Sequence, residues 1–281
     1  MVSGAIGATQ ISGSLDAKNI VMDLIVKQLK LSNLSELATT VQVPELTGTI
    51  PVLGPGGIQT DLKEWEMGLV KSGDFSYVSF DLTKDRVKLM VSDEARFKSK
   101  MGDPLALQKA GASLLLAQEL DRKIAVALQT TPQTSATAGA WSTVTNNPLK
   151  DIATAVAGLK PYKADFVIMT SNVWAQFVGN NYTAQYSTGN PGAVEGAIAR
   201  IPGLNLDVYI SDDITAKTIL VGSRSAPAVV IGNGPVKVRQ EDVMDGGEIW
   251  QIDVYRQVKS TILKTSGNLN MGVYQITGVI A

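Results

Sequence analysis

Glu64 and Glu66 flank Trp65 at strand spacing, so an extended backbone turns both carboxylates to one face. A carboxylate-dependent acid/base enzyme would need such a pair, although solvated or salt-bridged carboxylates explain the spacing more simply. Two further groups, Asp207, Asp212 and Asp213, and Asp242, Asp245 and Glu248, offer the oxygen ligands that calcium or magnesium takes. Neither has the spacing of a calcium-binding loop, and both read as turn and strand-end carboxylates, so no metal ligand is assigned. Gly232-Asn233-Gly234-Pro235 contains a Gly-x-Gly but lacks the lysine, the Ser/Thr and the following helix of a phosphate loop. It reads as a turn between strands. Asn180-Asn181-Tyr182 reads as a loop, either a recognition tip or a polar connection. Trp65, Trp141, Trp174 and Trp250 suit packing or interface anchors better than cofactor stackers.

The composition narrows the chemistry further. The chain has 281 residues, no histidine and no cysteine. That excludes disulfides, thiolate nucleophiles, zinc fingers, iron–sulfur clusters, imidazole ligands and a Ser-His-Asp triad. No Gly-x-Ser-x-Gly elbow and no Ser-x-x-Lys occurs. Lys+Arg number 25 against 26 Asp+Glu, a balance unlike that of a protein built to grip nucleic acid. Only 18% of residues are charged, against about 25% in ordinary globular domains. Either the core is unusually large, or much of the surface is covered by something else, such as neighbouring subunits. No catalytic residue, cofactor or metal is assigned, and no membrane partner is expected. The opening residues lack a secretory pattern and no apolar run is long enough for a membrane helix, which places the chain in a cytoplasm at synthesis.

The elements that must position these residues follow from periodicity. Residues 1 to about 15 are rich in Gly, Ser, Ala and Thr and read as an arm, followed by a short helix capped at Asp16. Val41 and Val43, then Ile50 and Val52, alternate with polar residues as short extended pieces. Gly54-Pro55-Gly56-Gly57 marks a turn, and Phe75 to Leu82 alternates as a strand with apolar residues on both sides. Val87, Leu89 and Val91 form one more strand. Residues 54–91 thus make a long finger, with too little core to stand alone.

Asp103-Pro104 opens a helix to about Gln129, with Leu107, Ala110, Leu114, Ala117, Leu120, Ile124 and Leu128 as its apolar stripe. Residues 130–147 read as a flexible connection, and Asn147-Pro148 starts a second helix to about Leu159. The strand Phe166–Met169 and a helix capped at Thr170 or Ser171 come next. Strands follow at 206–210, 218–221, 228–231, 236–238, 249–255, 258–263 and 273–280.

This order of pieces resembles the major capsid proteins of tailed double-stranded DNA phages, whose fold is shared with encapsulins and the floor of herpesvirus capsids. The resemblance rests on Thr49-Ile50-Pro51 ahead of the finger, Lys63-Glu64-Trp65-Glu66-Met67-Gly68 within it, and Phe75–Leu82 leading into Val87–Val91. It rests further on Asp165–Ser171 before a Trp-bearing helix, and on Gly203–Ser211 followed by Ile219–Gly222 and Ala228–Gly232.

It implies an α+β, phage capsid-type fold. Residues 1–53 would be the N-terminal arm and short helix, 54–83 the extended loop, and 84–130 the P-domain with its spine helix. Residues 131–228 would form the A-domain and 229–281 the closing strands of the P-domain, the last strand returning to either domain. The resemblance also implies hexamers and pentamers closing an icosahedral shell around double-stranded DNA in a virion. The protein would be assembled in a host cytoplasm with scaffolding, portal and decoration proteins as partners. Intersubunit contacts would fall on Lys63, Glu64, Trp65, Glu66, Lys71, Phe75 and Tyr77. A lysine–asparagine cross-link at Lys63 or Lys71, known in the family, has no matching asparagine motif here. The alternatives are an encapsulin shell around cargo enzymes and a soluble carboxylate- or lysine-dependent oligomeric enzyme.

Overall fold

A computed structural model of the chain describes residues 33–53, 75–92, 104–130, 132–136, 139–143, 146–160, 162–180, 182–183, 199–201, 203–225, 228–243, 247–260 and 270–280. The expected arm and first helix, the finger tip at 54–74 and the loop at 184–198 lie outside these residues. After a 3-10 turn at Ser35–Leu37 come β1 (Thr39–Gln42), β2 (Thr47–Leu53), β3 (Phe75–Asp81), β4 (Thr83–Ser92) and α1 (Pro104–Leu128). β5 (Pro132–Ala136), α2 (Pro148–Gly158), β6 (Phe166–Met169), α3 (Ser171–Gly179), β7 (Ala199–Ile201), β8 (Leu206–Ile210) and β9 (Thr218–Gly222) follow. β10 (Val229–Val243), β11 (Gly247–Ser260) and β12 (Asn270–Thr277) close the chain.

The strands form three sheets: β1-β10-β11-β4, β5-β12-β9-β6-β8-β7, and the two-stranded ribbon β2-β3. β6 is buried along its whole length, which explains why its sequence is a continuous apolar run rather than an alternation. Its alternate residues feed different cores. Phe166 and Ile168 join the C-terminal half of α1, Leu34 and Leu37, while Val167 and Met169 pack with Ile152 of α2 and Val173 and Phe177 of α3. The N-terminal half of α1 meets the four-stranded sheet through Ala112 and Leu116 against Leu89, Trp250, Ile252 and Val254. The long helix therefore belongs to both sheets.

Helix starts follow the sequence signals. Asn147 Oδ1 accepts from Leu149 N at 3.0 Å ahead of Pro148, and Thr170 Oγ1 accepts from Val173 N at 3.3 Å. Four local expectations change. The described part of 130–147 contains β5, parallel to β12 at the sheet edge, and Trp141, which is 1% exposed, so these residues are packed rather than a flexible connection. Gly232–Pro235 is not a turn: it lies inside β10, where the pairing with β11 shifts register between Asn233 and Val236. Proline fits there because an irregular ladder position needs no N–H donor. One strand, β11, covers both 249–255 and the described part of 258–263. Finally, Ala110 and Leu114 on α1 are exposed, and Ala112 and Leu116 face the sheet instead.

Candidate assembly surface

The ribbon β2-β3 begins as an ordinary antiparallel pair, in register from Thr47 opposite Asp81 to Leu53 opposite Phe75. Its root is held by two alternate side chains, Phe80 and Leu82, both buried with Val43 and Val230. They occupy space that Gly232 and Gly234 leave vacant. A Cβ on Gly232 would stand 2.6 Å from the Phe80 ring, and one on Gly234 2.3 Å from Leu82 Cδ1. Polar contacts lock the same corner. Leu82 N donates to Leu46 O at 2.8 Å, Asp81 N to Gln257 Oε1 at 2.7 Å, and Lys259 Nζ to Ser79 O. The two glycines were the signal for this socket, but without the partner strand their spacing reads as a turn.

Of the contact residues expected from sequence, Lys63, Glu64, Trp65, Glu66 and Lys71 lie outside the described residues. Phe75 heads β3 opposite Leu53, and Tyr77, opposite Pro51, is 71% exposed. A tyrosine that open has no packing role within its own subunit. Further apolar exposure falls on Met90 of β4 and on Leu114, Leu115 and Val126 of α1, with Leu115 at 64%.

A charged network that sequence reasoning missed ties α1 to the four-stranded sheet. Arg256, 2% exposed, donates from Nε to Asp85 Oδ2 at 2.6 Å and from Nη2 to Leu116 O at 3.0 Å. Lys123 Nζ reaches both oxygens of Asp85, at 2.7 and 2.8 Å. Asp85 thus lies between one cation from the sheet and one from the helix. On the opposite sheet face, Arg86 grips Asp253 at 2.7 and 3.3 Å, and this hydrogen-bonded guanidinium holds the Asp253 carboxyl below the usual range. On α1, Arg122 does the same to Glu119.

The acids singled out as possible ligands serve the fold. Asp207, buried, accepts from Arg224 Nη1 at 3.1 Å, and Arg224 Nη2 donates to the Tyr209 hydroxyl at 2.5 Å. Burial pushes the Tyr209 phenol up. Asp212 accepts from Ser171 N at 2.8 Å and from the Ser171 hydroxyl at the start of α3, which lowers its pKa. Asp213 is exposed, Asp242 and Glu248 sit on β10 and β11, and Asp245 lies outside the described residues. No cluster of three or more metal-ligating side chains occurs among the described residues. Asn180 is a buried clip rather than a recognition tip: its Nδ2 donates to Trp141 O at 2.8 Å and Asn146 O at 3.2 Å, and its Oδ1 accepts from Tyr182 N at 3.0 Å. Trp174 stacks on Phe177 at 5.7 Å and Trp141 tilts against it at 5.8 Å, so both are packing residues. No helix among the described residues is long and apolar enough to cross a membrane.

No family model matches the sequence, and no curated protein matches it. Solved structures do. The capsid of a native GTA particle superposes with a TM-score of 0.66 at 13% identity, covering 89% of this chain and 91% of that one. The holo-SrpI encapsulin complex from Synechococcus elongatus gives 0.63 at 12% identity, over 88% and 87% of the two chains. The capsid of the cyanophage P-SCSP1u gives 0.59 at 12% identity, over 87% of each.

Proposed function

We propose that this chain, whose fold is the one shared by tailed-phage capsids and encapsulins, is a non-enzymatic shell subunit. It assembles as hexamers and pentamers into an icosahedral container for double-stranded DNA. Coverage carries this reading: the capsid fold accounts for 89% of the chain and for 91% of the matched capsid subunit. The rooted ribbon with its exposed Tyr77 and the open apolar residues of α1 support it, since each is surface that a neighbour would bury.

The mechanism is geometric. Residues 54–83 act as the extended loop reaching over a neighbour, with Lys63, Glu64, Trp65, Glu66, Lys71, Phe75 and Tyr77 as contacts. Residues 84–130 and 229–281 form most of the P-domain, residues 131–228 the A-domain, and residues 1–53 the arm. β12 pairs with β9 and β5, which supports assigning the last strand to the A-domain sheet. Each exposed ion pair contributes about 0–1 kcal/mol, so closure comes from repetition around the shell. Its place is the virion, after assembly in the host cytoplasm with scaffolding, portal and decoration proteins.

The encapsulin match favours one second reading, in which the container holds cargo enzymes. Electron microscopy of the purified chain, with and without co-expressed scaffold, tests the proposal. Closed isometric shells are expected, with nucleic acid co-purifying under the first reading and a cargo enzyme under the second. A chain that stays a small oligomer in every condition overturns both.

A further inference from the structure

A cleft of about 430 Å³ opens between the C-terminal half of α1 and the C-terminal end of β11. Its size is that of a small-molecule site rather than a packing gap. What lines it is one-sided. Arg122 and Lys123 come from α1 and Lys259 from β11, and no acidic side chain is among the lining residues. The whole chain, by contrast, carries 25 basic and 26 acidic residues. Val126, Ala127 and Val258 supply hydrocarbon, and Gln257 an amide. Val126 is 50% exposed, so part of this hydrocarbon is open to solvent.

Two of the cations are held in place by carboxylates that do not line the cleft. Asp85 takes Lys123 at 2.7 and 2.8 Å, and Glu119 takes Arg122 through Nε at 2.9 Å and Nη2 at 2.7 Å. That pairing fixes the guanidinium and leaves its Nη1 hydrogens to donate elsewhere. Lys259 differs. Its ammonium donates to a neutral acceptor, Ser79 O, and no carboxylate among the described residues lies within ion-pair distance of it. A half-buried ammonium with two further protons and no counter-charge is stabilised when an anion comes to it. Gln257 adds a donor: its Oε1 is taken by Asp81 N at 2.7 Å, which leaves the Nε2 hydrogens.

We propose that this cleft binds a free nucleoside monophosphate, with its phosphate held by Lys259 and Arg122 and its base or sugar laid on Val126, Ala127 and Val258. Three features select that class. Cationic donors gathered in one cleft without a carboxylate suit a phosphoryl group. The volume is well beyond what inorganic phosphate fills, and the hydrocarbon asks for an apolar plate beside the anion. No acidic side chain is present to grip a ribose diol, so ribo- and deoxynucleotides bind alike. A DNA duplex spreads its phosphates over a broad convex surface and does not enter a concave site of this size, so the ligand is distinct from an enclosed duplex. Every lining residue belongs to one subunit, so the inference is independent of the shell reading.

Isothermal titration of the full, unassembled chain in phosphate-free buffer tests it, with adenosine 5′-monophosphate as the probe. One site per chain is expected, with deoxyadenosine 5′-monophosphate equal to within about twofold, and adenosine and inorganic phosphate each at least about tenfold weaker. Lys259→Gln and Arg122→Gln should each weaken binding of the monophosphate about tenfold and leave adenosine binding unchanged, because each removes a hydrogen bond to a charged group. Lys88 and Arg239, exposed cations flanking Gln251 on the four-stranded sheet, lie outside the cleft and provide the control. The variant K88Q/R239Q should keep the parent affinity. No heat with the monophosphate, or adenosine binding as tightly, overturns the proposal. Inorganic phosphate binding as tightly overturns it as well, by showing an adventitious ion only. A single-stranded oligodeoxynucleotide that binds at least about tenfold more tightly than the monophosphate also overturns it, by making the cleft a strand contact. An equal loss in K88Q/R239Q overturns it by showing general attraction to basic surface. Lys259 also braces Ser79, so Arg122→Gln, on the exposed side of α1, decides the matter if Lys259→Gln fails to fold. Unchanged affinity in Arg122→Gln overturns the proposal.

Discussion

The buried charges between α1 and the four-stranded sheet allow the sharpest energetic prediction. Asp85 is the only carboxylate among the described residues within ion-pair distance of Arg256, and it also neutralises Lys123. Asp85→Ala removes both interactions at once. Arg256, 2% exposed, keeps only Leu116 O at 3.0 Å, and Lys123 keeps Glu119 at 3.9 Å. Leaving a desolvated guanidinium without its counter-charge costs about 3–5 kcal/mol. For a chain of 281 residues that is a fall in Tm of about 5–8 °C. Replacing the charge as well, in Asp85→Ala/Arg256→Met, should recover about 1–3 kcal/mol, because the penalty belongs mainly to the stranded cation. The assay is urea denaturation of the unassembled chain, so that subunit contacts do not contribute. A loss below about 1 kcal/mol for Asp85→Ala, or strict additivity in the double variant, would show that water already solvates Arg256 and that the pair does not stitch helix to sheet.

Tyr77→Ala should leave the stability of the unassembled chain within about 0.5 kcal/mol of the parent, since the side chain is 71% exposed, yet weaken shell formation; light scattering during assembly reads the difference. Gly232→Ala should cost about 1–3 kcal/mol by pushing the Phe80 ring out of its socket, seen as a lower urea midpoint; an unchanged midpoint would mean the ribbon root moves freely. Asn180→Ala should cost about 2–3 kcal/mol, because it strands the carbonyls of Trp141 and Asn146 that its amide holds in a mostly buried corner; thermal melting reads it. The pH dependence has a definite sign. Asp253 and Glu119 have folded pKa values below their ordinary ones, so their contribution is complete at neutral pH and is lost as pH falls through the ordinary carboxylate range and on through their lowered folded values. Arg86→Gln should flatten that part of the stability curve, and an unchanged curve would remove Asp253 from the account.

Much of this architecture was legible along the chain because its signals are local. Asn147-Pro148 and Thr170 cap helices through bonds to residues two or three positions away, and the continuous apolar run Phe166–Met169 announces a strand covered on both faces. Absent histidine and cysteine excluded whole classes of chemistry without reference to any coordinates. The order of elements pointed to the capsid-type fold.

Long-range packing decided the rest. Gly232-Asn233-Gly234-Pro235 has the composition of a turn, and only the arrival of Phe80 and Leu82, some 150 residues earlier, makes it a socket inside a strand. Nothing near Asp85 in the sequence marks it as the partner of Lys123 and Arg256, since those contacts span 38 and 171 positions. Lys84, Arg86 and Lys88 of β4 and Lys237 and Arg239 of β10 come from two segments about 150 residues apart, each unremarkable alone, and become one basic face only through the register of β4, β11 and β10. Sequence by itself fixes local backbone preference and the chemistry a chain lacks. Which distant side chains share a face depends on strand pairing, and a one-residue slip would reverse it.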